Sequence, residues 1–164
     1  MADNIILDIK SIPGESKMKG YEKKIVLMSF SAGMSQPMTN DPANTSRTLG
    51  RPTVAEINCT KVCDSASTPL MKACLGGTDL GDVELHIFRV TSGSDLSHEL
   101  MMTYTLTNAM ISQHSISGSG NDTPYESFSI NFTKISIDYF VQDETGKKQG
   151  TLPASYDMAT GEAT

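Results

Sequence analysis

Tryptophan is absent from this 164-residue chain, and cysteine is scarce, with only Cys59, Cys63 and Cys74 present. An odd number of cysteines argues against a disulfide scaffold and suits a protein made in a reducing cytoplasm. Cys59 and Cys63 resemble half of a zinc site, but no second Cys or His pair follows at a similar spacing. We therefore interpret the cysteines as buried thiols, and the sequence predicts neither a metal site nor a cofactor.

Basic residues are also few, with 13 Lys and Arg against 19 Asp and Glu and a net charge of −6. Such a chain would be repelled by nucleic-acid phosphates and by anionic membrane surfaces, so we expect neither as a partner. No stretch approaches the roughly 18 apolar residues of a membrane helix. The N-terminus carries Asp3 and Asp8 and lacks the basic and apolar regions of a secretory signal. We expect synthesis in the cytoplasm and export, if any, by a route that accepts a folded protein.

Recognisable catalytic motifs are missing as well. His86, His98 and His114 are isolated in the sequence, and no G-x-S-x-G motif supplies a nucleophile. A nucleophile and its base can still meet through the fold, so a Ser or Cys acting with His86 or His114 stays open as an alternative. The sequence favours a protein that is not an enzyme.

The most informative segment that is present covers residues 125–139. Apolar side chains fall at Phe128, Ile130 and Phe132, and the apolar set then shifts by one residue to Ile135 and Ile137. A strand has a side-chain period of two, so this shift would turn the later residues to the wrong face. The pattern predicts a β-bulge or sharp bend near Thr133, of the kind that lets a long strand curve into a barrel.

Further strands are predicted over residues 4–12, 23–31, 54–62, 83–90 and 100–117. One short helix is predicted, with Thr68 as its cap, Pro69 in its first turn and Gly76-Gly77 at its end. A chain of this length fits one domain, which we place at residues 1–146. Residues 147–164 lack a periodic pattern, so we expect a loosely ordered tail.

Two segments suggest contacts with other molecules. The strand around Ile25, Val26, Leu27 and Met28 is apolar on both faces, which predicts a second layer or a subunit contact over it. The longest loop spans residues 33–53, is rich in Ser, Asn, Thr and Pro, and carries Arg47 and Arg51. Loops of this length inside a compact domain tend to have a function.

Several sequence blocks, in matching order, carry a family resemblance. They are Ile12 to Lys17 after the first strand, Ser29 to Gln36 after the second, Thr60-Lys61 followed by Asp64 to Met71 at the helix, and Glu126 to Ile135. Across residues 3–142 the chain resembles the haemolysin-coregulated protein (Hcp) family, the tube subunits of the bacterial type VI secretion system.

This resemblance implies a mainly β fold: a two-sheet β-barrel with one short flanking α-helix, similar to phage tail-tube proteins. It also implies hexameric rings that stack into a tube, which a contractile sheath propels out of the bacterial cell together with spike proteins. The rings would carry small effector proteins in the lumen, and the protein would be secreted without a cleaved signal peptide. Phe30 and Ser31 match the strand end where relatives meet cargo.

From these implications and the pattern together we predict three sets of contacts. Phe30 and Ser31 would contact cargo, Arg47 and Arg51 would contact the next ring, and the Ile25 to Met28 strand would lie between subunits of a ring. The alternative is a monomeric ligand-binding β-barrel, such as a lectin-like module, and the particle mass separates the two.

Overall fold

The computed structural model describes residues 4–40, 42–43, 47–91 and 97–164. It contains one helix, α1 (Ser67–Gly76), and short to medium strands. In chain order the strands are β1 (Ile5–Ile9), β2 (Ile25–Val26), β3 (Ser29–Ser31), β4 (Met34–Ser35), β5 (Met38–Asn40), β6 (Arg47–Leu49), β7 (Thr53–Val54), β8 (Ile57–Val62), β9 (Val83–Thr91), β10 (Ser97–Thr107), β11 (Met110–Ser117), β12 (Tyr125–Asn131), β13 (Lys134–Gln142), β14 (Lys148–Asp157) and β15 (Glu162–Ala163).

The strands form two large sheets. One has seven strands in the order β15-β14-β13-β10-β9-β1-β2, and the other has four in the order β11-β12-β8-β3. The neighbouring strands in both sheets are antiparallel. The predicted mainly β fold of two sheets with one short helix is confirmed. Within the described residues no strand ladder joins the two sheets, so both large sheets keep open edges.

The core lies between the two large sheets and under the helix. Leu7, Leu85 and Leu106 from the seven-stranded sheet meet Ile57, Phe128 and Ile130 from the four-stranded sheet, with Leu70 of α1. All seven are at most 1% exposed. Burying one such side chain contributes about 1.5–3 kcal/mol, so these layers hold the sheets in a fixed relation.

The predicted bend near Thr133 is confirmed. β12 belongs to the four-stranded sheet and β13 to the seven-stranded sheet, so the chain changes sheet at Phe132 and Thr133. The break is fixed by backbone bonds from Thr133 N to Thr107 O (3.0 Å) and from Met158 N to Thr133 O (3.0 Å). The one-residue shift in the apolar pattern lets Phe132 and Ile135 both reach the core on either side of the break.

The same change of sheet divides the strand predicted at residues 23–31. β2 lies in the larger sheet and β3 in the smaller one. Leu27 N donates to Ile5 O (3.0 Å), whereas Met28 N donates to Thr60 O (2.8 Å). Ile25 and Leu27 are buried in the chain's own core, Val26 is half-buried and Met28 is exposed. The assignment of Ile25 and Leu27 to a subunit contact is therefore corrected: this chain itself covers them.

The helix matches its prediction closely. It covers Ser67–Gly76, and Ala66 and not the predicted Thr68 occupies the N-cap position. Gly77 follows its end in a left-handed conformation (φ 56°) that suits glycine. Asp64 and Ser67 stabilise the start of the helix: Ala66 N donates to Asp64 Oδ1 and Asp64 N donates to Ser67 Oγ, both at 2.9 Å. With ten residues, α1 is too short to cross a membrane, and no other described segment forms a longer helix.

The prediction of a loosely ordered tail over residues 147–164 is wrong. β14 pairs with β13 from Lys134↔Asp157 to Gln142↔Lys148, and β15 adds a short pairing to the end of β14. Residues 148–154 are exposed at successive positions. A strand with both faces exposed has no apolar alternation, which is why the sequence did not reveal it.

The predicted loop at residues 33–53 is a hairpin in two parts, which we call the arm (residues 33–54). β4 pairs with β7 at its base, and β5 pairs with β6 beyond it, including Met38↔Leu49 and Asn40↔Arg47. Residues 41 and 44–46 near its tip lie outside the described residues. The side chains of Met38 and Leu49 are more than half exposed, so no described part of this chain covers them.

Candidate functional site

The strand positions on the outer face of the four-stranded sheet, turned away from the core, carry no charged side chain and are rich in hydroxyl and amide groups; the Glu56 carboxylate accepts from Asn131 Nδ2 (3.0 Å) at one end of this face. Its exposed polar positions are Ser29, Ser31, Asn58, Gln113, Ser115, Ser117, Ser127 and Asn131. Cross-strand hydrogen bonds connect several of these groups, including Ser115 Oγ with Ser127 Oγ (2.8 Å) and Ser129 Oγ with Asn58 Oδ1 (2.5 Å). In water such a face neither attracts nor repels a charged protein strongly.

Charged residues of this sheet point inward instead. Lys61 of β8 and Glu126 of β12 are direct cross-strand partners, and both side chains are fully buried. Lys61 Nζ donates to Glu126 Oε1, to Asp64 Oδ1 (2.6 Å) and to Val62 O (2.9 Å). Three donor bonds satisfy the ammonium group, so its burial does not leave an unpaired proton.

Glu126 is equally well satisfied. Besides Lys61, it accepts from Ser67 Oγ (2.9 Å) and lies 2.9 Å from His114 Nε2. Burial alone would raise the pKa of the Glu126 carboxyl, but the hydrogen bonds from Lys61, His114 and Ser67 outweigh it and lower this pKa. The network joins β8, β11, β12 and the start of α1, so it fixes the sheet to the helix beneath the neutral outer face.

Sequence reasoning missed this network. The available signal was that Lys61 follows Ile57 and Cys59 in the inward register of β8, and Glu126 precedes Phe128 in that of β12. Two opposite charges at inward positions of different strands suggest a buried pair. Without knowing that β8 and β12 are neighbours, the pairing itself could not be derived.

Among the described residues, no histidine bonds to a Ser or Cys side chain. His114 bonds to Glu126, and His86 Nδ1 lies 3.2 Å from Thr103 Oγ1. Thr103 is 8% exposed in the middle of β10, so a substrate could not reach its hydroxyl. Burial raises the pKa of Cys59 to about 12, which makes this thiol a poor nucleophile. His98 lies in β10 without a described catalytic partner.

The open edges of the four-stranded sheet differ from those of the larger sheet. β11 is eight residues long, lacks Lys, Arg, Asp, Glu and Pro, and pairs along only one edge within the described residues. β3 forms the opposite edge. In the larger sheet, the outer edge of β14 carries Lys148 and Pro153 and is paired by β15 only at its end. Lys and Pro oppose the addition of another strand, so β11 is the better template for one.

The residues predicted to contact other molecules fall in separate places. Ser31 lies on the neutral outer face of the four-stranded sheet, whereas the Phe30 ring points inward and packs edge-on against Tyr104 at 5.7 Å. Arg47 is exposed on the arm. Arg51 Nη2 donates to Met158 O and so ties the arm base to the turn after β14. The structure thus presents Ser31, Met28 and Arg47 to solvent, and their contacts with partners stay predictions.

Comparison with known proteins supports one family. The family profile described as "Type VI secretion system effector, Hcp" matches residues 6–139. Protein hcp1 of Pseudomonas aeruginosa is 30% identical over 151 residues, which cover 92% of this chain and 91% of that protein.

Solved structures agree in fold. A structure described as a type six secretion system protein has a TM-score of 0.89 at 24% identity and covers 99% of this chain and 100% of its own. Hcp1 from Salmonella typhimurium has a TM-score of 0.79 at 23% identity, with both chains covered completely. The matched profile and the extent of the hcp1 similarity show that this chain belongs to the Hcp family of the type VI secretion system.

Proposed function

We propose that six copies of this chain close into a ring, that rings stack into the inner tube of a type VI secretion system, and that the lumen carries small effector proteins. A contractile sheath would surround the tube and spike proteins would cap it. The chain would leave the bacterial cytoplasm through this system without a cleaved signal peptide. It would act as a structural subunit and not as an enzyme.

The observation that carries this proposal is the pair of open edges on one sheet. β11 and β3 end the same four-stranded sheet on opposite sides, and neither has a further strand partner in the described chain. If β11 of one copy adds to β3 of the next, the contact is head-to-tail. A head-to-tail contact closes into a ring when a whole number of equal rotations completes one turn without a rise along the axis; otherwise it continues as an open filament.

The neutral outer face supports the placement of cargo. The inner face of the four-stranded sheet is covered by the other sheet and the helix, so the outer face is the one free to line a central hole. Its hydroxyl and amide groups would give a lumen wall whose strand positions are uncharged, with the Glu56 carboxylate beside Asn131 at one end, and Ser31 would lie at the β3 margin of each segment. Such a wall suits cargo that must be held loosely and released.

The arm supports a role in stacking. Its outer part is exposed and uncovered, and it carries Arg47 on a chain whose net charge is −6. An exposed cation on an acidic protein favours contact with acidic groups of another copy. The interaction would be modest, which suits a tube that has to fall apart after delivery.

One observation favours the ligand-binding alternative. A cavity of about 580 Å³ opens between the arm base and the larger sheet, and its walls include Met34, Val54, Ile137, Ala154 and Tyr156. A cavity of this size and polarity is within the range of small-molecule sites. A monomeric barrel would use it for an apolar ligand.

Light scattering coupled to size exclusion distinguishes these functions. The ring requires six times 17.7 kDa, about 106 kDa, whereas the ligand-binding barrel requires a stable particle of 17.7 kDa. Measurements over a range of protein concentration separate a closed ring, whose mass is constant, from open chains, whose mass grows. A monomer at all concentrations would exclude the tube proposal.

The stacking assignment is tested by Arg47→Glu, with Lys19→Glu as a control at an exposed lysine outside the arm. The mass of the ring should be unchanged in both variants, and only Arg47→Glu should shorten tubes seen by electron microscopy. Arg51→Glu should act similarly but also loses the bond to Met158. Tubes of unchanged length with Arg47→Glu would remove the arm from the stacking contact.

The cargo assignment is tested by Ser31→Gln, with Thr151→Gln on the exposed β14 as a control. The larger amide side chain would narrow the hole, so the amount of a co-expressed effector retained on purified rings should fall while the ring mass stays the same. Equal retention by both variants would contradict the placement of Ser31 in the lumen.

A further inference from the structure

Three metal-binding side chains meet on the face of the seven-stranded sheet that is turned away from the core. Asp8 of β1 and Glu84 of β9 are direct cross-strand partners, and His86 follows two residues after Glu84 on the same face. One ligand atom from each residue lies within 4.8 Å of the other two. The strand register creates this cluster, since it brings Asp8 beside Glu84 and His86, which lie far from it in the chain.

The imidazole of His86 is held in a fixed orientation. Its Nδ1 lies 3.2 Å from Thr103 Oγ1, and its ring packs edge-on against Tyr21 with centroids 5.2 Å apart. The opposite nitrogen, Nε2, lies 3.2 Å from Glu84 Oε2 and so faces the carboxylates. Metal-binding histidines commonly have this arrangement, in which a second group fixes one nitrogen and leaves the other for the ion.

Other described groups border the cluster. They are Lys24, Tyr21 and Thr103, in addition to the two carboxylates.

A lysine supplies the positive charge at this place. Lys24 Nζ lies 2.7 Å from Asp8 Oδ1, and its side chain is 33% exposed. Two carboxylates and one ammonium leave a local charge of −1 when His86 is neutral. Because Lys24 reaches in from the surface, its ammonium can move into solvent when a stronger cation binds Asp8.

We propose that Asp8, Glu84 and His86 form a binding site for one divalent transition-metal ion such as Zn²⁺, and that the Lys24 ammonium competes with this ion for the Asp8 carboxylate. One imidazole nitrogen and two carboxylate oxygens match zinc, whereas Mg²⁺ and Ca²⁺ prefer oxygen ligands only. Tetrahedral zinc with ligands at about 2.0–2.1 Å needs its ligand atoms about 3.3 Å apart. The half-exposed side chain of Glu84 can rotate to provide that closer approach.

This inference is independent of ring formation, and it revises the sequence prediction that the chain has no metal site. That prediction rests on cysteine spacing and does not consider residues brought together by strand pairing. A bound ion would replace the Asp8–Lys24 pair by bonds that join β1 to β9, and it would stabilise the folded chain by mass action.

The test titrates Zn²⁺ into the intact assembly and follows it by calorimetry. Cys63→Ser and Cys74→Ser form the background, because these partly exposed thiols would bind zinc themselves. Saturable binding of one ion per chain is expected, and Lys24→Met should tighten it by about tenfold or more. Asp8→Asn and Glu84→Gln should each weaken it by at least tenfold, while Glu162→Gln, an exposed carboxylate elsewhere, should not change it.

Substitution of Co²⁺ gives a second readout. Its visible absorption in the Lys24→Met variant should show a tetrahedral or five-coordinate site with nitrogen and oxygen ligands, and His86→Gln should abolish that spectrum. If neither the parent nor Lys24→Met binds an ion saturably, the proposal is wrong. Binding that Asp8→Asn and Glu84→Gln leave unchanged would place the ion elsewhere and overturn it equally.

Discussion

Replacement of Lys61 by methionine removes the ammonium group at the centre of the buried network. Met has a similar length and fills the same space, so the change tests charge and hydrogen bonding more than volume. Glu126 would keep its bonds to Ser67 and His114 but lose its buried counter-charge. Removing one partner of a buried ion pair typically costs about 3–5 kcal/mol, because it leaves the other charge uncompensated.

The expected loss can be read as a melting temperature. For a chain of this length, about 1 kcal/mol corresponds to roughly 2–4 °C, so Lys61→Met should melt about 6–20 °C below the parent. The measurement is thermal unfolding by circular dichroism at one fixed protein concentration, since association also stabilises an oligomer. Lys72→Met on the exposed face of α1 is the control and should change the free energy of unfolding by no more than about 0.5 kcal/mol.

A double variant separates the loss of the pair from general damage. In Lys61→Met with Glu126→Gln the remaining side chain is neutral and can still bond to Ser67 and His114. This variant should recover at least half of the loss seen with Lys61→Met alone. A loss below about 1 kcal/mol for the single variant, or a double variant no more stable than it, would refute the reasoning.

Three further predictions concern pH, thiol chemistry and backbone packing. The pKa of Glu126 is lowered from its ordinary 4.5, so the ionised carboxylate stabilises the fold above that value, and this stabilisation is lost as the pH falls through the lowered pKa. The melting temperature of Glu126→Gln should therefore fall less on acidification than that of the parent. An equal fall in both proteins would contradict this. Because the Cys59 thiol has a pKa raised to about 12, a thiol reagent at pH 8 should label at most two cysteines per native chain, and rapid labelling of all three would contradict its burial. Gly14→Ala would place a Cβ 2.4 Å from Lys24 O and should lower the free energy of unfolding by about 1–3 kcal/mol. In Gly33→Ala the added Cβ meets no atom within 4 Å, so that variant should be nearly as stable as the parent. Equal unfolding midpoints of the two variants in urea would refute this contrast.

Shifts in the apolar pattern predicted much of the fold. The slip between Phe132 and Ile135 predicted the point at which the chain changes sheet. The same slip occurs between Leu27 and Phe30. It could not be recognised because residues on both faces of the preceding segment are apolar, so the sequence predicted a single strand there. A frame shift can be seen only when polar residues mark the alternate positions, as they do around Phe128.

Other features depend on neighbours that no local pattern reveals. β14 is exposed on both faces, so its position comes from pairing with β13 and not from its own side chains. The Lys61–Glu126 pair and the cluster of Asp8, Glu84 and His86 need the strand order, which places residues from distant segments side by side. Sites formed by residues from different strands are therefore the features of this protein that the sequence alone does not predict.

The central claim is that the β11 edge of one copy contacts the β3 edge of another. Cysteines at Ser115 and Ser29, in a background with Cys63→Ser and Cys74→Ser, can be joined by a short bis-maleimide and resolved on a denaturing gel. A head-to-tail ring predicts a ladder that ends at six chains in the double variant and no cross-linking in either single variant. Dimers from Ser115→Cys alone, or no ladder from the double variant, would contradict the account.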